Sequence, residues 1–209
     1  RHTRYGTVTG VQTCALPISS VLASCSNPGY LRVDDTFVPK GWASIVVLPF
    51  SGQGHFADLA TNTFALHMVG QKHFVLVQPS ETKVTMTELG IERSEGSITV
   101  VEAQKVALHY NAQAILMGNI DSYNNGMTLN AFATVRLIDA VSGQIVGAAH
   151  EPAGLIFAYS EQQCVISAVE NVSEKINQVL FEMAERNRAN GVDGQAKELR
   201  PRSRSEEHT

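Results

Sequence analysis

Apolar positions between Ser44 and Met183 switch between a two-residue and a helical period in a regular order. Ser44-Ile45-Val46-Val47-Leu48-Pro49-Phe50 is β-branched and apolar throughout, the pattern of a strand covered on both faces, and Pro49 ends its capacity to extend a ladder. Ser51-Gly52-Gln53-Gly54 then turns into a helix predicted over about His55–Val69. Phe56, Leu59, Ala60, Thr63, Leu66 and Val69 form its expected buried stripe, and Gly70 its stop. His73–Val77 is a second strand, closed by Pro79. The polar stretch 80–96 reads as a loop or short helix. Thr99 and Glu102 have the spacing of a capping box, which opens a helix to about Tyr110 with Val101 and Leu108 expected inward. Ala114–Ile120 is a third strand, Asn124-Asn125-Gly126 a turn signal, and Met127–Ile138 a long strand with Leu129, Ala131, Ala133, Val135 and Leu137 on one side. Asp139–Gly143 turns again and Gln144–Ala149 returns. A last helix, about Glu161–Arg186, carries Val165, Val169, Val172, Ile176, Val179 and Met183 as one seam. The sum is an α/β fold over residues 44–187, a three-layer β-α-β-α-β-β-β-α module with a mixed sheet flanked by helices.

The ends change the picture. Thr13-Cys14-Ala15-Leu16-Pro17-Ile18 can be encoded by ACGTGTGCTCTTCCGATCT, and the reverse complement of that string encodes Arg204-Ser205-Glu206-Glu207-His208-Thr209. One DNA string read on its two strands accounts for both, and it resembles a sequencing-library adaptor. Residues 1–19 and 202–209 are therefore left out of the fold, as foreign segments should be. Residues 188–209 are expected to form a disordered tail. Residues 20–43 divide into Leu22-Ala23-Ser24-Cys25 and a stretch from Ser26 to Trp42. That stretch holds Asn27-Pro28-Gly29, Asp34-Asp35 and Pro39-Lys40-Gly41 without periodicity, so it is expected to be a flexible tether.

Leu22-Ala23-Ser24-Cys25 matches the tetrapeptide at which bacterial lipoprotein precursors are cut and acylated. Small residues precede the thiol, and Cys25 is the expected lipid-attachment residue. Each buried methylene of such an anchor contributes about 0.8 kcal/mol of membrane binding. The expected location is then the periplasmic face of an outer membrane. Cys164 lies on the apolar side of the last helix and reads as an inert core thiol. Two separated cysteines make neither a metal motif nor a disulfide framework.

The roughly 180 remaining residues suffice for one domain with its own core. Net charge is −4 and mean hydropathy −0.04. No basic patch argues for nucleic acid, and no apolar run approaches the roughly 20 residues of a membrane helix.

Ser51-Gly52-Gln53-Gly54 sits where a phosphate loop would, between strand and helix, but lacks a third glycine and a Lys-Ser/Thr pair and is read as a plain helix-opening turn. His55, His67, His73, His109 and His150 have no i, i+4 ligand partner. No Gly-x-Ser-x-Gly elbow, cysteine nucleophile setting or carboxylate pair on apolar strand ends is present. Asn171-Val172-Ser173 is a formal glycosylation sequon on a helix and carries no weight. The expectation is a protein without catalytic residues, cofactor or metal.

Three segments carry a family resemblance. Ile45-Val46-Val47-Leu48-Pro49-Phe50 before a helix, Asn111-Ala112-Gln113-Ala114-Ile115-Leu116-Met117-Gly118-Asn119-Ile120, and Thr134-Val135-Arg136-Leu137-Ile138-Asp139-Ala140-Val141-Ser142-Gly143-Gln144-Ile145 resemble, in order and spacing, the curli-transport (CsgG-like) lipoproteins and their TolB-N-like relatives. The resemblance covers about Ser44–Leu180. It implies a role in outer-membrane assembly or secretion through protein partners. The family's channel threads two long hairpins per subunit into the membrane, after the third strand and after the meander. Here those positions hold only Ser122–Thr128 and Ala153–Glu161, short of the two strands of about 9–11 residues that each hairpin needs. The resemblance is thus to the periplasmic module without its pore, and it leaves homo-oligomer formation open. Alternatives are an activator lipoprotein for a cell-wall synthase or for flagellar assembly, a secretion-channel subunit, and, in a different class, a periplasmic enzyme.

Overall fold

The computed structural model describes residues 29–91, 98–124, 129–155 and 160–189. Cys25, the adaptor-like ends and the Asn125-Gly126 half of the predicted turn lie outside them. Four helices and seven strands follow in the order β1 (Tyr30–Val33), β2 (Ser44–Val47), β3 (Ser51–Gly52), α1 (Gly54–Met68), β4 (Val75–Val77), α2 (Pro79–Glu88), α3 (Val100–His109), β5 (Ala114–Asn124), β6 (Leu129–Asp139), β7 (Ile145–Leu155) and α4 (Glu161–Ala189). The strands form one mixed sheet in the order β1-β7-β6-β5-β2-β4, with β3 added beside the far part of β5. β2 pairs parallel with β4 and β5, while β5, β6, β7 and β1 run antiparallel in turn. The mixed α/β architecture is the one the periodicity predicts.

Alternation divides the core. Ile45 and Val47 of β2 point into a large cluster under α1 and α4, and Val46 and Leu48 into a smaller one under α2 and α3. That is why the run is apolar at every position. On β6 the inward set is Ala131, Ala133, Val135 and Leu137, all fully buried. Ala149 and Ala153 lie beside them on β7. These small side chains let α4 lie close: a Cβ on Gly147 would sit 3.0 Å from Val179. The α4 seam is as expected, with Val165, Val169, Val172, Ile176, Val179 and Met183 fully buried and Cys164 with them. The Thr99 capping box is formed in both directions, and Gly143 takes φ +72° in the β6–β7 turn.

Three expectations are corrected. α1 buries Phe56, Ala57, Ala60, Thr61, Phe64 and Met68, while Leu66 and Val69 stay 75% and 71% exposed. Apolar residues occupy much of this helix's circumference, and contact with α4 and β5 selects the line through Phe64. α3 buries Ala103, Val106 and Ala107, and turns Val101 and Leu108 to solvent. The third correction concerns the tether. Tyr30–Val33, within the stretch read as flexible, is an edge strand paired with Gly147–His150 of β7. Leu31, Val33 and Phe37 pack on the large core, and Trp42 is buried in it. Arg186 near the end of α4 donates to the carbonyls of Asp34 (2.8 Å) and Phe37 (3.3 Å) and to the Asp35 carboxylate (3.1 Å). The Asn187 amide donates to the Trp42 carbonyl at 3.0 Å. The turn residues that suggested a free tether are instead the corners of a segment held by partners about 150 residues away.

Candidate interaction surface

The sheet is covered unequally. α1 and α4 lie along one face, α4 spanning β5, β6 and β7. On the other face α2 packs on β2 and α3 on β2 and β5. Apart from Ile138, which joins the smaller core, the outward side chains of β6, β7 and β1 have no helix over them among the described residues. An antiparallel meander tolerates one solvated face, so the chain can leave this one open.

Period-two alternation fixes what stands there. β5 contributes Asn119, Asp121 and Tyr123, and β6 Phe132, Thr134 and Arg136. β7 contributes Ala148, His150 and Pro152, and β1 Tyr30 and Arg32. The register puts Tyr30, His150, Thr134 and Asn119 in one row across four strands. The His150 ring stacks on Tyr30 at 5.2 Å between centroids and on Phe132 at 6.0 Å. Its Nδ1 is 2.9 Å from the Thr134 hydroxyl, which fixes the ring's rotation. Arg32 lies over Tyr30 with its guanidinium carbon 5.7 Å from the ring centre, a cation–π contact. Tyr30 and Tyr123 are 46% and 59% exposed. Beside this ladder the Asn119 amide donates to Asp121 at 2.7 Å, and its oxygen accepts from Ser51 at 3.0 Å. Aromatic rings held by stacking and by the Thr134 hydroxyl, with Arg32 over one end and Asn119 beside the other, suit recognition of a protein surface, since little side-chain entropy is lost when they are covered.

Beneath the same strands, Glu151 of β7 points the other way and pairs with Lys175 of α4. The pair is structural: it joins helix to sheet, with the carboxylate side chain only 12% exposed.

The remaining candidates separate from this face. Ser51 and Gly52 form β3, and a Cβ on Gly52 would lie 2.1 Å from the Ile120 carbonyl oxygen. The glycine there serves close strand approach and φ +137°, and α1 begins without a side-chain cap. His67 meets Glu170 at 3.4 Å, His73 lies against Phe181, and His55 and His109 each lie against their own neighbour. Among the described residues no group of three or more His, Cys, Asp or Glu is placed to hold a metal ion, and no helix is long and apolar enough to cross a membrane. Sequence reasoning missed Tyr30, Arg32, Phe132 and His150 as a group. The signal available was the polar or aromatic set at every second position of β6, opposite its alanines.

No protein-family profile matches the chain, and no curated protein matches it. Solved structures do. The PelC dodecamer from Paraburkholderia phytofirmans shares 16% identity at a TM-score of 0.44, over 71% of this chain and 97% of that one. Lipoprotein GNA1162 from Neisseria meningitidis shares 19% at 0.41, over 62% and 96%. The LpoB C-terminal domain from Escherichia coli shares 18% at 0.39, over 51% and 81%. Likeness at this level concerns the course of the chain and assigns no activity to it.

Proposed function

We propose that this protein is a non-catalytic, lipid-anchored module on the periplasmic face of the outer membrane, and that it acts in assembly or secretion by binding a protein partner on the open face of its meander. The observation that carries the reading is the preset ladder Tyr30–His150–Phe132 with Arg32 and Arg136, standing on the face of the meander that no described helix covers. The anchor rests on Leu22-Ala23-Ser24-Cys25. The CsgG-like resemblance of the strand motifs supplies the assembly context.

A photo-crosslinking residue placed in turn at Phe132, Tyr30 and Leu108 tests the reading. Leu108 is 79% exposed on α3, away from the ladder. Adducts of one discrete mass from Phe132 and Tyr30, and none from Leu108, are expected. Adducts from Leu108 alone would move the interface to α3 and end the proposal.

A further inference from the structure

The two arginines of the open face stand on either side of one small residue. Arg32 of β1 and Arg136 of β6 both register with Ala148 of β7, one from each side, and alternation turns all three outward. The arginine Cα atoms are therefore two strand steps apart, about 10 Å. Both side chains are exposed, and Ala148 places only a methyl group between them. Met117 of β5 follows Arg136 in the same row, so the row holds no acid.

The carboxylates nearest to the pair are engaged elsewhere. Asp34, two residues beyond Arg32, accepts from the Thr36 N–H (2.9 Å) and hydroxyl (2.6 Å) on one oxygen and from the Gln144 amide (2.9 Å) on the other. Asp121 accepts from Asn119 at 2.7 Å and registers with Phe132, four residues or about 13 Å along the strand from Arg136. Among the described residues neither Arg32 nor Arg136 has an acidic partner. Two like charges held across one strand repel each other, and a single anion shared between them removes that cost.

The geometry points to a carboxylate as that anion: the open face takes an Asp or Glu side chain of its protein partner between Arg32 and Arg136. This rests on the reading of the face as a protein interface and gives that interface a chemistry. A guanidinium presents paired N–H donors that match the two oxygens of a carboxylate. The next row, two residues or about 7 Å along the strands, holds the stacked rings of Tyr30 and His150. The ligand is therefore an acidic side chain with an apolar one about 7 Å from it, the spacing of residues i and i+2 in an extended segment. A lipid surface, which carries many anions, fits less well. It would press its charge against Asp34 and Asp121 on either side of the pair, on a chain whose net charge is already −4.

A random heptapeptide library displayed on phage, selected on the immobilised full chain, tests the inference, with the selected peptides then titrated by fluorescence anisotropy. Enrichment of Asp or Glu with an aromatic or large aliphatic residue two to four positions away is expected. Arg32→Gln/Arg136→Gln should weaken those peptides at least about tenfold, while Lys105→Gln, which removes one exposed charge from α3, should leave them within about twofold. Arg136 is outside the ring stack, so Arg136→Gln alone should still weaken them at least about threefold even where loss of Arg32 loosens Tyr30. Selected peptides without an acid, binding that survives both substitutions, or no enrichment at all overturns the inference. Arginine-dependent binding to phosphatidylglycerol vesicles without peptide enrichment overturns it too, and assigns the pair to lipid phosphate. Crosslinking at Phe132 separates this inference from the interface reading. Adducts that persist unchanged in Arg32→Gln/Arg136→Gln keep the interface and remove the acidic partner. Acidic peptides held by the arginines, with no adduct from Phe132 or Tyr30, keep the carboxylate site and remove the interface.

Discussion

At the scale of single residues, two contacts lend themselves to measurement. Glu102 closes the α3 capping box by accepting from the Thr99 backbone N–H at 2.9 Å and its hydroxyl at 2.8 Å. The backbone bond first, and the hydroxyl second, hold its carboxyl below the ordinary value of 4.5. A carboxyl depressed in the folded state stabilises above its unfolded pKa and loses that contribution as pH falls through the folded one. Glu102→Ala should therefore lower the urea midpoint at pH 7, and the gap to the parent should narrow once pH drops below 4.5. An unchanged gap at pH 3 would assign the effect to helix propensity alone. Gly118 is the second contact. A Cβ there would lie 2.4 Å from the Phe50 ring, which is 1% exposed and packed on Phe64. Gly118→Ala should cost about 1–3 kcal/mol in chemical denaturation, and Phe50→Leu in the same chain should recover part of it.

Elements showed more clearly where pattern reading succeeds and where it fails. The α4 seam and the β6 alternation were legible because each is long and its apolar side is distinct from its polar one. α3 has ten residues, and its apolar side chains point several ways. Only the flat approach to β5 and β2 selects Ala103, Val106 and Ala107, because small residues let a helix lie close to a sheet. β1 was illegible for another reason. Four residues between turn formers have no period of their own, and their strand exists because β7 offers an edge and Arg186 gathers the carbonyls that follow. Arg186→Ala should therefore raise amide exchange at Tyr30–Val33 and leave β5 and β6 protected. Uniform exchange across the sheet after this change would show that Arg186 supports the whole fold, not the edge strand in particular.

For the whole molecule, the larger core joins every layer on one side of the sheet. Cys164 lies in it at 0% exposure, beside Val165 and Ala168. Its thiol should react with a disulfide reagent only as fast as the domain opens globally, and addition of denaturant should speed that reaction in parallel with unfolding. Rapid reaction in native buffer would mean that α4 opens on its own. The open meander face also belongs to this scale. None of Tyr30, Phe132, His150 and Arg32 marks a site alone, and they lie on three strands separated by up to 120 residues. No local motif can encode such a cluster, because it depends on β1 joining the sheet in one register.

The sequence by itself determined the α/β class, the alternation of the main strands and helices from β2 to α4, and the inward set of β6 and α4. Each of these follows from local periodicity or from a short motif. Tertiary structure alone decided that the supposed tether is an edge strand, that half of one sheet face has no helix over it among the described residues, and that Tyr30, Arg32, Phe132 and His150 come together there. Those features arise from pairing between segments far apart in the chain, where the geometry of the partner and not the period of the segment fixes the outcome.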